Sequence, residues 1–180
     1  MRKDLNGILG FVGLLWIVFL INSVFPAILS GRGLIPRTAT GLQGIITMPF
    51  LHASIAHLVS NSVPLVVLLL LLFGSQLHPV RLVIVLSLLS GLMLWIFGRP
   101  REHVGASALI YSLAAFLIVS GIAERRPVSI AISILVGFLY GGTLIWGVLP
   151  VTGEHISWEG HLLGAITGGI LAWGLAKYRK

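Results

Sequence analysis

Long apolar runs, broken by short polar and basic stretches, set the pattern of this chain. Leu5 to Gly31 and Thr38 to Val80 contain no Asp, Glu, Lys or Arg. A hydrocarbon core about 30 Å thick takes roughly 20 apolar residues wound as a helix. The pattern therefore predicts six membrane-spanning helices over about 5–29, 49–73, 80–97, 105–122, 128–149 and 158–176, in a single membrane domain covering 1–180. Pro26 and Pro64 fall inside the first two spans, where neighbouring helices can satisfy the backbone groups that proline frees. The first run is too long for a signal-peptide core and has no small-residue cleavage pattern behind it, so it is read as a span.

Composition agrees with an all-α membrane protein: 57% of the 180 residues are hydrophobic, 9% are charged, and the mean hydropathy is +1.03. The formal charge of +7 could point to nucleic acid. The basic residues, however, sit at the ends of apolar runs and form no face or stripe, so no nucleic-acid partner is expected. They mark topology instead. With both termini inside, the inner segments hold Arg2, Lys3, Arg81, Arg125, Arg126, Lys177, Arg179 and Lys180, against Arg32, Arg37, Arg99 and Arg101 outside. The positive-inside rule then selects N-in and C-in. There is no cysteine, which removes disulfides, thiolate metal sites and a cysteine nucleophile. No internal repeat is visible, against transporter folds built from duplicated halves.

In that topology spans two, four and six all start at the outer face, and their early residues share a depth. These include His52, His57 and Asn61 in span two, Ser107 in span four and His161 in span six. At 1.5 Å per residue His57 is expected about 10 Å below the start of its span, and Ser107 and His161 about one turn down. Polar side chains at membrane depth are costly and usually face a bundle interior or a water-filled cavity, so three converging helices make a functional site the expectation. A serine hydroxyl becomes a nucleophile when a base takes its proton, and a neutral imidazole suits that task near pH 7. Ser107 and His161 supply the pair. The resulting oxyanion needs donors, for which His57, Asn61 and the N–H groups at the start of span four are candidates. A third, carboxylate member is missing from reach: Asp4 lies on the inner side, and Glu159 points to another part of its helix. The expectation is a Ser–His dyad. Span six also carries Gly160, Gly164, Gly168 and Ala172 at four-residue intervals, a spacing that lets helix backbones approach closely.

Taken together, His52-x4-His57-x3-Asn61, Gly105-Ala106-Ser107 with Tyr111 one turn on, and Gly160-His161-x2-Gly164-x3-Gly168 resemble the rhomboid intramembrane serine proteases. The resemblance covers roughly residues 47 to 173 in the family's order. It implies a six-helix rhomboid-like bundle with a short, water-accessible fourth helix, and cleavage of single-span membrane proteins. It further implies Ser107 as nucleophile, His161 as base and His57 with Asn61 at the oxyanion. His52, Gly105, Gly164 and Gly168 would support the site, and Tyr111 would pack under the base. No cofactor or metal is implied, and the location expected is a bacterial inner membrane, in a minimal six-helix member. Ala108 stands where the family usually has glycine, and its methyl is expected to bear on rate rather than on identity. In the loop before span two, Gln43-Gly44 replace a frequent Trp-Arg pair.

Two other readings compete. A silent rhomboid relative would bind membrane clients without cutting them, but such relatives typically lack the serine or histidine, and Ala108 is its only support. A small transporter or metal-binding protein would use His52, His57 and His161 as ligands, yet metals of that kind usually recruit carboxylates or thiolates as well. His103 and His155 are expected to be solvated in outer loops, with His78 on the inner side. Glu102, Glu154 and Glu159 are expected at the mouth of the site.

Overall fold

A computed structural model of the protein describes residues 2–150 and 157–178; His155, Glu154, Arg179 and Lys180 lie outside the described residues. Among the described residues eight α-helices follow one another: α1 (Arg2–Val24), α2 (Pro26–Leu29), α3 (Gly44–Thr47), α4 (Ile55–Ser75), α5 (Pro79–Phe97), α6 (Ser107–Glu124), α7 (Pro127–Gly147) and α8 (Trp158–Tyr178). Two short 3₁₀ turns, Thr40–Gln43 and Met48–Phe50, flank α3. Five of the helices, α1, α4, α5, α6 and α7, are long and apolar enough to cross a membrane. The sixth long helix, α8, matches them with 21 residues, but its glycines and Glu159 and His161 dilute its apolar content.

Two boundaries differ from the sequence expectation, each for a local reason. The first span does not run through to residue 29. A residue before proline is pushed out of the α region, and Phe25 accordingly sits at φ −128°, ψ 69°, ending α1 and leaving Pro26–Leu29 as a separate turn. The second helix starts at Ile55 rather than near Pro49. Ser54 is its N-cap, extended at φ −154°, ψ 161°, and its side chain accepts a hydrogen bond from the His57 N–H at 3.1 Å. His52 therefore lies in the segment leading into α4, and His57 occupies the first turn of the helix.

The architecture is organised around α6. Twelve of its residues, from Ala108 to Ala123, are buried on all sides. It packs most extensively on α8, then on α7, and also on α4 and α5. By contrast α7 fully buries only Ser129 and Val136; Ile132, Tyr140 and Leu144 pack in part on the core, while Ile134, Phe138, Ile145 and Trp146 face outward, as a lipid-facing helix does. On α1, Ile8, Val12 and Leu15 recur on one face and join the main core, where Leu58, Leu65, Leu68 and Leu72 of α4 meet them. Trp16 adds a hydrogen bond from its indole N–H to Ser62 Oγ at 3.1 Å.

The α6–α8 contact depends on glycine. A Cβ on Gly164 would run into the Ala108 carbonyl oxygen, and one on Gly168 into that of Ser112. These two positions let the backbones touch, the close approach that small residues permit in membranes. Gly160 is different, since a Cβ there would meet mainly the movable Ser157 hydroxyl. The loop over 30–54 is tied to the loop after α5. Arg37 donates to the carbonyls of Ile96 and Gly98 at 3.0 and 2.8 Å, and the Trp95 indole donates to Thr38 O at 3.0 Å. Leu34 and His103 exchange two backbone hydrogen bonds of 2.9 and 2.8 Å. Gly44, one of the pair standing in place of Trp-Arg, packs so closely on the Leu34 backbone that no side chain fits there.

Candidate active site

Ser107 is the first residue of α6, not a residue one turn down as expected, because the chain reaches it through a left-handed glycine. Gly105 has φ +112°, which favours glycine, and its N–H donates to Met48 O at 2.9 Å. A Cβ at Gly105 would lie 2.6 and 2.7 Å from His57 Cε1 and Nε2, so the imidazole edge rests against the backbone two residues before the serine. Ala106 follows as a helix N-cap without a capping side chain. The N–H groups of the first turn of α6 therefore end at Ser107 with the positive end of the helix dipole behind them.

Ser107 and His161 line one cavity of about 670 Å³ together with His57, Asn61 and Tyr111. Both are half-buried, whereas Ala106 and Ala108 on either side of the serine are buried. The geometry of His161 determines its chemistry. Its Nδ1 lies 2.9 Å from the carbonyl oxygen of Gly147, the last residue of α7. A carbonyl only accepts, so Nδ1 carries the proton and Nε2 is left as the free lone pair, an assignment made from the partner. The ring also stacks on Tyr111, with centroids 4.2 Å apart and planes 5° from parallel. Tyr111 is held in turn by donating its hydroxyl to Thr143 O at 2.8 Å. Glu159 serves elsewhere, in a two-pronged ion pair with Arg99 at 2.6 and 3.1 Å.

The other expected residues fall in different places. The Asn61 amide lies at the cavity wall and donates to His57 O at 2.9 Å. His52 stands behind His57, edge-to-face at 5.1 Å, and is 4% exposed. Gly164 and Gly168 belong to the α6–α8 seam. Ala108, buried with Leu34, Met48 and Leu94, does not line the cavity, so its methyl fills the packing behind the serine rather than crowding the hydroxyl. His103 corrects the expectation of a solvated loop residue: it is 2% exposed, with Nε2–H donating to Arg99 O at 3.1 Å and Nδ1 paired with Ser157 Oγ at 2.7 Å. Among the described residues no three His, Cys, Asp or Glu side chains come together as a metal site. Reading the sequence missed Gly147 and Thr143, which act through main-chain oxygens, although the glycine at 147 is itself required, because a Cβ there would run into the Tyr111 hydroxyl.

Burial is the main cause that pulls the His52 imidazole down to about 4, with the His57 ring acting in the same sense and the Phe50 carbonyl opposing them. An unfolded histidine titrates near 6.5. Between those values the unfolded chain binds the extra proton, so the contribution of His52 is complete above about pH 6.5 and is lost as the pH falls toward about 4. The thermal midpoint in detergent should drop between pH 7 and pH 4.5, and a His52→Gln variant should show a shallower drop. Equal slopes would remove His52 as the cause.

An all-helical bundle with a polar, serine- and histidine-lined cavity at helix ends defines a membrane-embedded, protease-like class of protein. The chain belongs to the Rhomboid family, whose domain matches residues 39–178. It is an integral, multi-pass membrane protein with the intramembrane protease-like fold of that family. Relatives include uncharacterised proteins of Mycobacterium tuberculosis and Mycobacterium bovis, each 39% identical over 178 residues, covering 94% of this chain and 74% of their own. An uncharacterised protein of Mycobacterium leprae is 37% identical over 178 residues, covering 94% of this chain and 70% of its own.

Proposed function

We propose that the protein is an intramembrane serine endopeptidase that cuts single-span membrane proteins in or near their transmembrane segments. The observation that carries this reading is the His161 Nδ1–H bond to Gly147 O, which leaves Nε2 free in the cavity that Ser107 also lines. His161 Nε2 takes the Ser107 proton as Oγ attacks the scissile carbonyl carbon. The oxyanion formed is met by His57, Asn61 and the first N–H groups of α6. Collapse of the tetrahedral adduct breaks the C–N bond, and His161 returns its proton to the leaving amine. Water, deprotonated by the same imidazole, then hydrolyses the acyl-Ser107 ester and regenerates both residues.

The same reading places α8 as a sixth span, with both termini inside, in a bacterial inner membrane. In its support, α8 is 21 residues long and packs against α5 and α6 inside the bundle, where its glycines and polar residues meet protein rather than lipid. The silent alternative rested on Ala108, whose methyl is turned away from the cavity.

The reconstituted protein should cleave a single-span reporter and label with a fluorophosphonate at Ser107, and Ser107→Ala should lose both. Labelling that persists in Ser107→Ala would sink the proposal. Chelator-sensitive activity that survives Ser107→Ala would establish the metal reading instead.

A further inference from the structure

Loop 99–103 directly precedes the Gly105–Ser107 segment, and residues 157–159 directly precede His161. The two stretches grip each other at both ends. The Arg99 guanidinium takes both oxygens of Glu159, Nε to Oε1 at 2.6 Å and a terminal nitrogen to Oε2 at 3.1 Å. It also lies 5.6 Å over the Trp158 ring. Four residues on, the His103 ring pairs with Ser157 Oγ at 2.7 Å. Ser157 then accepts the His161 backbone N–H through its own carbonyl at 3.1 Å. Glu159 is nearly buried, with 7% of its side chain exposed against 47% for Arg99.

We propose that this clasp, with Arg99 and Glu159 as its positioning residues, sets the separation of Ser107 from His161. The inference rests on the dyad proposed above and assigns that dyad an alignment device. The seam fixes α6 against α8 from Gly164 on the Ala108 carbonyl, just after Ser107, to Gly168 on that of Ser112, one turn further in. At the mouth, by contrast, the approach to Ser107 is an irregular loop, and α8 has only begun. A planar guanidinium holding a carboxylate by two parallel bonds restrains direction as well as distance, which a lysine would not. Ser107 and His161 sit on different helices, and errors of about 1 Å in such a pair cost on the order of 10²-fold in rate. The clasp touches no reacting atom and acts through the placement of the two side chains that do.

The test compares wild type with Arg99→Gln, Glu159→Gln, the double variant, Arg99→Lys and the exchanged pair Arg99→Glu with Glu159→Arg. All are assayed in proteoliposomes for the fluorophosphonate labelling rate at Ser107 and for kcat and KM on a single-span reporter. Each neutral single variant should lose about tenfold in labelling rate and kcat, with KM within twofold of wild type and the protein folded by circular dichroism. The double variant should lose no more than a single one, Arg99→Lys should fall in between, and the exchanged pair should regain at least half of the loss. Unchanged labelling in the single variants, additive losses in the double, or losses that follow KM or unfolding alone would overturn the clasp while leaving the dyad standing. Wild-type protein that neither labels nor cleaves would overturn the dyad and the clasp with it.

Discussion

Replacing His161 with alanine should lower the rate of reporter cleavage by about three orders of magnitude or more, with the protein still folded. General base catalysis by a positioned side chain is worth about 10²–10⁴-fold, and removing one member of a serine–histidine pair costs nearly as much as removing the pair. Among the described residues the other titratable groups nearby are already engaged. Glu159 is committed to Arg99, His103 to Ser157 and Arg99 O, and the His57 ring lies against Gly105, where the proposed mechanism uses it at the oxyanion. Single-turnover cleavage in liposomes, with Ser107→Ala as the blank, measures the effect. Activity within about tenfold of wild type would mean that the proton goes elsewhere.

The second large effect concerns the seam. Gly168→Val should prevent folding or destabilise the protein by more than about 4 kcal/mol, above the roughly 1–3 kcal/mol usual for overpacking, because the obstruction is main chain. The atoms in the way are the Ser112 carbonyl and the Phe116 N–H, parts of the α6 backbone that cannot rotate aside. Gly169→Ala is the control, because a Cβ there would meet only Val119 Cγ2 at an ordinary 3.7 Å. Midpoints from thermal or denaturant unfolding in detergent should separate the two variants widely. A Gly168→Val protein as stable as Gly169→Ala would show that α6 and α8 are not in backbone contact.

The helical spans were readable because twenty-residue apolar runs have few other solutions, and α5 and α7 begin or end at clear breakers, Pro79, Gly98 and Pro127. The run around residues 49–54 misled because apolarity is continuous across Phe50 and Leu51. Only the extended Ser54 cap, a conformational fact, sets the true start of α4. His103 was misjudged for a related reason. A histidine among Arg101, Glu102 and Pro100 looks solvated, and its burial arises from pairing with Leu34, sixty-nine residues earlier, and with Ser157 on the far side of α7. The cavity gathers Ser107, His161, His57, Asn61 and Tyr111. The serine, histidines and asparagine could be named from residue type and depth and Tyr111 from the family resemblance, whereas the partner of His161 could not, since it acts through a main-chain oxygen at a position kept free of a side chain by Tyr111.

That oxygen has a consequence for how the site can fail. Hydrolases that orient their base with an aspartate carry a vulnerable charge, which would be costly at this depth and which one substitution can delete. Here orientation rests on a main-chain oxygen at the end of α7, and what a substitution can spoil is the room for it, since a Cβ on Gly147 would run into the Tyr111 hydroxyl. The exposure is mechanical instead. Because α7 buries so little of itself and meets α8 only lightly, its hold on the imidazole is among the few ties between the two. On the mechanism proposed above, a displacement of the end of α7 would release His161 Nδ1 from Gly147 O and with it the tautomer that leaves Nε2 free.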